Sequence, residues 1–202
     1  MSRFVSAVLH PFVVPVYTVA VLISGDFLVA FSPLRTKLFT VALIVLNALI
    51  IPAIFIGLMR SSGAAHDHAV QKRQGRIEAL AVVALCYGVS IFMVKDVLFA
   101  FIVNKFLITA FCCSAAALVA TFFWRISLHM VAAGGATAIF AMLSLAGLSS
   151  FFMPLAVAIL LSGALASARL YLGVHNPAQV ALGYIVGFAA ASLAMLFAPN
   201  VL

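Results

Sequence analysis

Ala168-Arg169-Leu170-Tyr171-Leu172-Gly173-Val174-His175-Asn176-Pro177-Ala178-Gln179 joins two long apolar runs, residues 151–168 and 180–198. Each run is close to the roughly 20 residues that an α-helix needs to cross a bilayer. The polar break between them therefore reads as a surface turn between two membrane-spanning helices. Asn176-Pro177 reads as the start of the second helix, with Asn at the N-cap and Pro at the first helical position. His175 sits just before that start. A helix N-terminus presents free N–H groups and partial positive charge, so it attracts an anion such as phosphate. The same field disfavours imidazolium and keeps His175 neutral, as a nucleophile requires. Arg169, ending the first helix, can turn a bidentate guanidinium fork toward the same anion. A purely structural account competes with this one: Gln179, at the third helical position, can close a capping box, and Arg169 can snorkel to the membrane surface.

Composition extends the helical reading to the whole chain. Hydrophobic residues make up 67% of the 202, charged residues 7%, and the mean hydropathy is +1.32. A soluble domain carries about a quarter charged residues, so the solvent here is a bilayer. The expectation is one all-α domain over residues 1–202, a polytopic integral membrane helical bundle of six to seven spans. The net charge of +7 comes from basic residues scattered over loops and helix ends, which is ordinary for a membrane protein and no sign of a nucleic-acid partner. Cys86, Cys112 and Cys113 lie inside apolar runs with no metal or redox spacing.

From the N-terminus, residues 4–31 read as one kinked spanning helix. His10-Pro11 and Pro15 lie near its start, Asp26 near its end, and Ser32-Pro33-Leu34-Arg35 forms the turn that follows. His10 reads as a solvated interface residue. Residues 38–59 span next. The longest polar stretch follows, residues 60–76, with His66-Asp67-His68 and then Lys72, Arg73 and Arg76. The histidine pair lacks the i,i+4 spacing and additional ligands of a metal site, and no metal or other cofactor is expected. Arg73 and Arg76, three apart, share a helix face and suit a phosphate clamp; equally, they suit a positive loop that sets topology. Residues 77–94 span, Lys95-Asp96 breaks the chain, and residues 106–123 span again, with Asn104 and Lys105 interrupting the approach. Trp124-Arg125-Ile126-Ser127-Leu128-His129 is the second polar junction. Ser127 is a good N-cap for a helix to about residue 149, and it places His129 in the first turn. Gly134-Gly135 and Gly183-x-x-x-Gly187 suit close helix packing.

Two crossings separate residues 60–76 from 125–129, and two more separate those from 169–175. The three polar stretches therefore fall on one face of the membrane.

These stretches resemble the type 2 phosphatidic acid phosphatase superfamily. Its motifs are Lys-x6-Arg-Pro, Pro-Ser-Gly-His and Ser-Arg-x5-His-x3-Asp. The third is matched here by Ala168-Arg169-x5-His175-x3-Gln179, with Gln in place of Asp. The second is matched by Ile126-Ser127-Leu128-His129, with Pro and Gly lost. In the first, Arg76 stands for the arginine, Ile77 replaces the proline, and Lys72 or Arg73 serves as the lysine from a shifted place. The motif region covers about residues 70–180.

The resemblance implies a metal-independent phosphatase. His175 would attack phosphorus and form a phosphohistidine, and His129 would protonate the leaving oxygen. Arg169, Ser127 and Arg76, with Arg73 or Lys72, would hold the phosphate oxygens. The substrate would be a phosphorylated lipid such as phosphatidate, phosphatidylglycerophosphate or an isoprenyl diphosphate. Gln179 would accept a hydrogen bond from His175 as the family's Asp does, without its charge. Two other classes compete: a weak or inactive relative that binds phosphorylated lipid, and a small transporter, which would need midplane charges that are few here. A bacterial inner membrane is implied. The motif face holds most of the cations, which by the positive-inside rule points to the cytoplasm. Several of those cations are proposed ligands, however, and the bacterial relatives commonly present this face to the periplasm.

Overall fold

The computed structural model describes residues 2–25, 33–61, 73–94 and 101–197. Within them the chain is an all-α bundle. The helices are α1 (Ser2–Val8), α2 (Val14–Gly25), α3 (Leu34–Val45), α4 (Ile51–Ser61), α5 (Arg73–Val94), α6 (Phe101–Phe123), α7 (Leu128–Leu145), α8 (Phe152–Tyr171) and α9 (Pro177–Phe197). Six helical stretches are long and apolar enough to cross a membrane: Leu34–Phe55, Arg73–Val94, Ile102–Phe123, Leu128–Leu145, Ser149–Tyr171 and Pro177–Phe197. Their outward residues are large and apolar, including Leu85, Phe92, Leu160 and Leu196. In water such a surface is a liability; in lipid it is the expected exterior.

The N-terminal run departs from the sequence expectation. It is not one kinked span but two short helices separated by residues 9–13. Pro11 has no N–H to donate and biases His10 before it away from the helical region, and Pro15 opens the next helix near its start. Helix α1 consequently stays at the motif end of the bundle and packs against α8. Helix α2 has 12 described residues, about 18 Å of rise against a hydrocarbon core of about 30 Å. Leu34 and Arg35 already belong to α3, whereas the turn was expected to include them. Asn104 and Lys105 do not interrupt α6, which runs through them; Lys105 donates to the carbonyl of Met195 at 3.4 Å near the far end of α9. Helix α7 stops at Leu145, and Gly147 turns the chain at φ 90°. Asp26, His66-Asp67-His68, Lys72 and Lys95-Asp96 lie outside the described residues.

Helices α3 and α4 form one span through a π-helical turn, Leu46–Ile50. Pro52, fully buried just beyond it, cannot donate to the turn before, which is one recognised cause of such a bulge. Asn47 on this turn donates to Ser90 of α5 at 2.6 Å.

Among the described helices, α7 and α9 pack most extensively against each other. A Cβ on Gly183 would stand 2.6 Å from the carbonyl oxygen of Ser127, and one on Gly187 would collide with the carbonyl of Val131. Gly134 of α7 is closed in the same way by the backbone of Tyr184 and Phe188. Small residues let two backbones meet where the bilayer supplies no hydrophobic drive between helices. The fit also sets register: the N–H of Ser127 donates to the carbonyl of Gln179 at 3.2 Å. The N-termini of α7 and α9 are thereby held side by side.

Candidate active site

That apposition brings the polar junctions together. A cavity of about 370 Å³ opens among α2, α5, α6, α7 and the end of α8, with the chain between α1 and α2 and the loop before α9 beside it, and its polar mouth carries Arg76, Arg125, Arg169, His10, His129 and His175. Glu78, the one acidic side chain among the described residues, is bonded to Gln74 and does not line the cavity. Three guanidinium groups thus share a half-buried space with no described carboxylate to neutralise them. Such a cluster is costly unless an anion completes it.

His175 occupies the short loop before α9. Its Nδ1 lies 3.0 Å from Oε1 of Gln179. The same oxygen accepts the backbone N–H of Asn176 at 3.3 Å, while Asn176 Oδ1 accepts the N–H of Gln179 at 2.8 Å. This is a reciprocal capping box. The two functions read separately in the sequence, helix cap and partner of His175, are performed together by one oxygen. Because an N–H points at it from the backbone, that atom is the amide's oxygen, so Nδ1 of His175 must carry the proton. The lone pair is then on Nε2. Burial lowers the pKa of His175 below the usual histidine range. The Gln179 hydrogen bond opposes this, and Arg169, Arg125 and Arg76 add to the lowering.

His129 lies in the first turn of α7. Its Nε2 is 3.2 Å from the carbonyl oxygen of Ser6 and 3.5 Å from Ser6 Oγ. A carbonyl only accepts, so Nε2 of His129 is the protonated nitrogen. Ser6 Oγ also accepts from Nη1 of Arg169 at 2.9 Å. One serine on α1 thus holds both the histidine and the arginine. Nε of Arg169 is buried without a hydrogen-bond partner. His10, which was expected to be a solvated interface residue, instead packs edge-on against His129 with ring centroids 5.3 Å apart. Its Nδ1 accepts the N–H of Phe12 at 3.4 Å, and burial, then Arg169, lowers its pKa.

Arg76 is buried and donates from Nη2 to the carbonyl of Ile126 at 2.6 Å, tying α5 to the second polar junction. Arg73 turns the other way, to the carbonyl of Phe122, and does not line the cavity. Ser127 occupies the N-cap position of α7 without a side-chain cap. Its fully buried Oγ has no partner, and the residue is not among those lining the cavity. The glycine contacts place it against α9 instead. Of the expected site residues, the structure therefore brings together His175, Gln179, His129, Arg169 and Arg76, leaves Arg73 and Ser127 aside, and does not describe Lys72. The additions are Ser6, His10 and Arg125. The available signal for the first two was Pro11, which ends α1 at the motif face.

Substituting Ser6 by Ala removes the acceptor that pins Arg169, a charged donor whose bond is worth roughly 1.5–3 kcal/mol. For the phosphate-holding role that the resemblance implies for Arg169, the expected result is a roughly tenfold drop in affinity for a phosphorylated lipid, read by titration, together with a lower melting temperature. Unchanged affinity assigns Ser6 to helix packing alone. No family model, curated protein or solved structure matches this chain.

Proposed function

We propose that this chain is an integral membrane phosphatase that hydrolyses a phosphate or diphosphate monoester of a lipid. The observation that carries the reading is the convergence of Arg76, Arg125 and Arg169 with His129 and His175 on one cavity that no described carboxylate neutralises. In this mechanism the arginines hold the phosphate oxygens and spread the charge of the transition state, which is most of what phosphoryl transfer requires. The Nε2 lone pair of His175 attacks phosphorus as the bond to the lipid oxygen breaks, and that oxygen takes the Nδ1 proton of His129 in its imidazolium form, while the Nε2–H stays on the Ser6 carbonyl. Water then attacks phosphorus, giving its proton to His129. The P–N bond breaks, phosphate leaves, and His175 regains its lone pair while Nδ1–H stays on Gln179. No metal or cofactor takes part.

One departure favours a second reading, a lipid-phosphate binder with weak or no turnover. The oxygen facing His175 belongs to an amide, which orients the ring but brings no charge to the phosphoimidazolium. Purified protein in lipid nanodiscs separates the two. Release of inorganic phosphate from phosphatidate, phosphatidylglycerophosphate or an isoprenyl diphosphate supports the enzyme. Saturable binding of these lipids by folded protein without release leaves only the binder. Within the enzyme reading, the site faces the periplasm from a bacterial inner membrane. Labelling cysteines placed at Ser62 and Thr36 from outside intact cells checks this.

Substituting Gln179 by Asp is expected to increase turnover at neutral to alkaline pH. A carboxylate favours the charged ring, so the pKa of His175 rises and the acid limb of the rate profile moves to higher pH. Gln179→Ala lowers turnover instead. If Asp and Ala variants turn over alike and differ from the parent only in melting temperature, the residue acts as a cap.

A further inference from the structure

Beneath its arginine and histidine mouth the cavity continues into the bundle. One wall follows α5 from Arg76 to Tyr87, a second follows α6 from Ala117 to Phe106, and a third follows α7 from Leu128 to Ile139. Each descends eleven residues, about 16 Å of helical rise, which reaches the middle of a hydrocarbon core about 30 Å thick. Tyr87, Phe106 and Ile139, all buried, lie at the inner end. Apart from Tyr87 at the inner end, the polar side chains on the way down turn their donors to backbone carbonyls. The hydroxyls of Thr18, Thr109 and Ser114 bond carbonyls of their own helices at 2.9, 2.7 and 2.8 Å, and the thiol of Cys113 faces the carbonyl of Gly187 at 3.5 Å. A file of water or an ion would find few partners there. A hydrocarbon chain would find an apolar sleeve. Over that depth, about 370 Å³ leaves room for a hydrocarbon chain.

We infer that one hydrocarbon chain of a lipid phosphate threads into the bundle below the histidines and ends against Tyr87, Phe106 and Ile139. The inference rests on the proposed function for the phosphate at the mouth, and it makes the cavity a gauge of chain length. Ala110, Ala132 and Ala136 keep the sleeve open at half depth. A second groove, about 410 Å³ and lined by no arginine or histidine, lies between α2, α7 and α8 and includes Met153 and Val157. It is the competing place for the chain.

An alkyl phosphate carrying a diazirine at the end of a long chain tests this in nanodiscs, with adducts mapped by peptide mass spectrometry. Adducts at Tyr87, Phe106 or Ile139, competed by dodecyl phosphate and reduced at least about tenfold by Ala110→Phe, support the inference. If that variant does not fold, Ala132→Leu blocks the sleeve from α7 with a smaller side chain. Adducts at Met153 and Val157, on outward residues such as Leu85 and Phe92, or insensitive to a folded blocking variant overturn it. The map needs no turnover. Phosphate release from the same compound is measured separately, so inner-end adducts without release defeat the phosphatase and spare the chain site, and release with adducts elsewhere does the reverse.

Discussion

Replacing His175 by Ala is expected to abolish phosphate release, with a loss of at least about 10⁴-fold, and to remove the acid-labile phosphoprotein trapped from radiolabelled substrate. Removing a nucleophile that works with an acid and a phosphate cradle leaves only the cradle. In the proposed mechanism the reactive form of His175 is the neutral one. Burial, reinforced by three nearby guanidinium groups, lowers its pKa. The neutral form therefore persists as pH falls through the ordinary histidine value of about 6.5, and the acid limb of kcat/KM lies below that value. An acid limb above the ordinary range, or residual trapping in the alanine variant, would place the nucleophile elsewhere. Comparing esters separates His129 from His175. His129→Ala slows substrates with poor leaving groups most, because a good leaving group needs less protonation.

Replacing Gly187 by Leu is expected to cost about 3 kcal/mol of stability or more and to eliminate lipid-phosphate binding along with it. A Cβ at this position has no place to go: it meets the carbonyl of Val131, which is backbone and cannot swing aside. Overpacking of this kind costs roughly 1–3 kcal/mol where side chains can adjust, and here they cannot. The helices must separate, which also breaks the Ser127 to Gln179 hydrogen bond that keeps His129 beside His175. Gly163→Ala on α8 is the control. No atom lies within 4 Å of its added Cβ, so it leaves stability unchanged or slightly raised. Equal melting temperatures for the two variants would show that α7 and α9 are not held by close backbone contact.

The helical membrane bundle was legible because apolar runs of spanning length admit few alternatives. The shared face was legible because crossings alternate sides. His175, Gln179, Arg169 and His129 were legible for a local reason: their positions follow from a cap, a preceding helix end or a first turn, all within a few residues. Arg73 was misjudged because helical spacing says which residues share a face but not where that face points, and Phe122 took it. Ser127 looked like a ligand by type. Its backbone is instead pressed against Gly183 and its hydroxyl is buried away from the cavity; Gly183 lies more than fifty residues away, and no local rule could supply that contact. Ser6 and His10 escaped for a similar reason. The break at Pro11 was visible, but its result, a short helix laid against α8, depends on tertiary packing.

The glycine contact between α7 and α9 also has a meaning for assembly. Membrane helices enter the bilayer in chain order, and association follows insertion. Helix α7 must therefore wait in lipid, its Gly134 face uncovered, until α8 has returned across the membrane and α9 has entered. His129 is in place early, yet His175 and its amide partner arrive only with the final described helix. The ribosome makes the three arginines before the loop that carries His175, and the cavity mouth becomes complete at the moment two bare backbones close on each other.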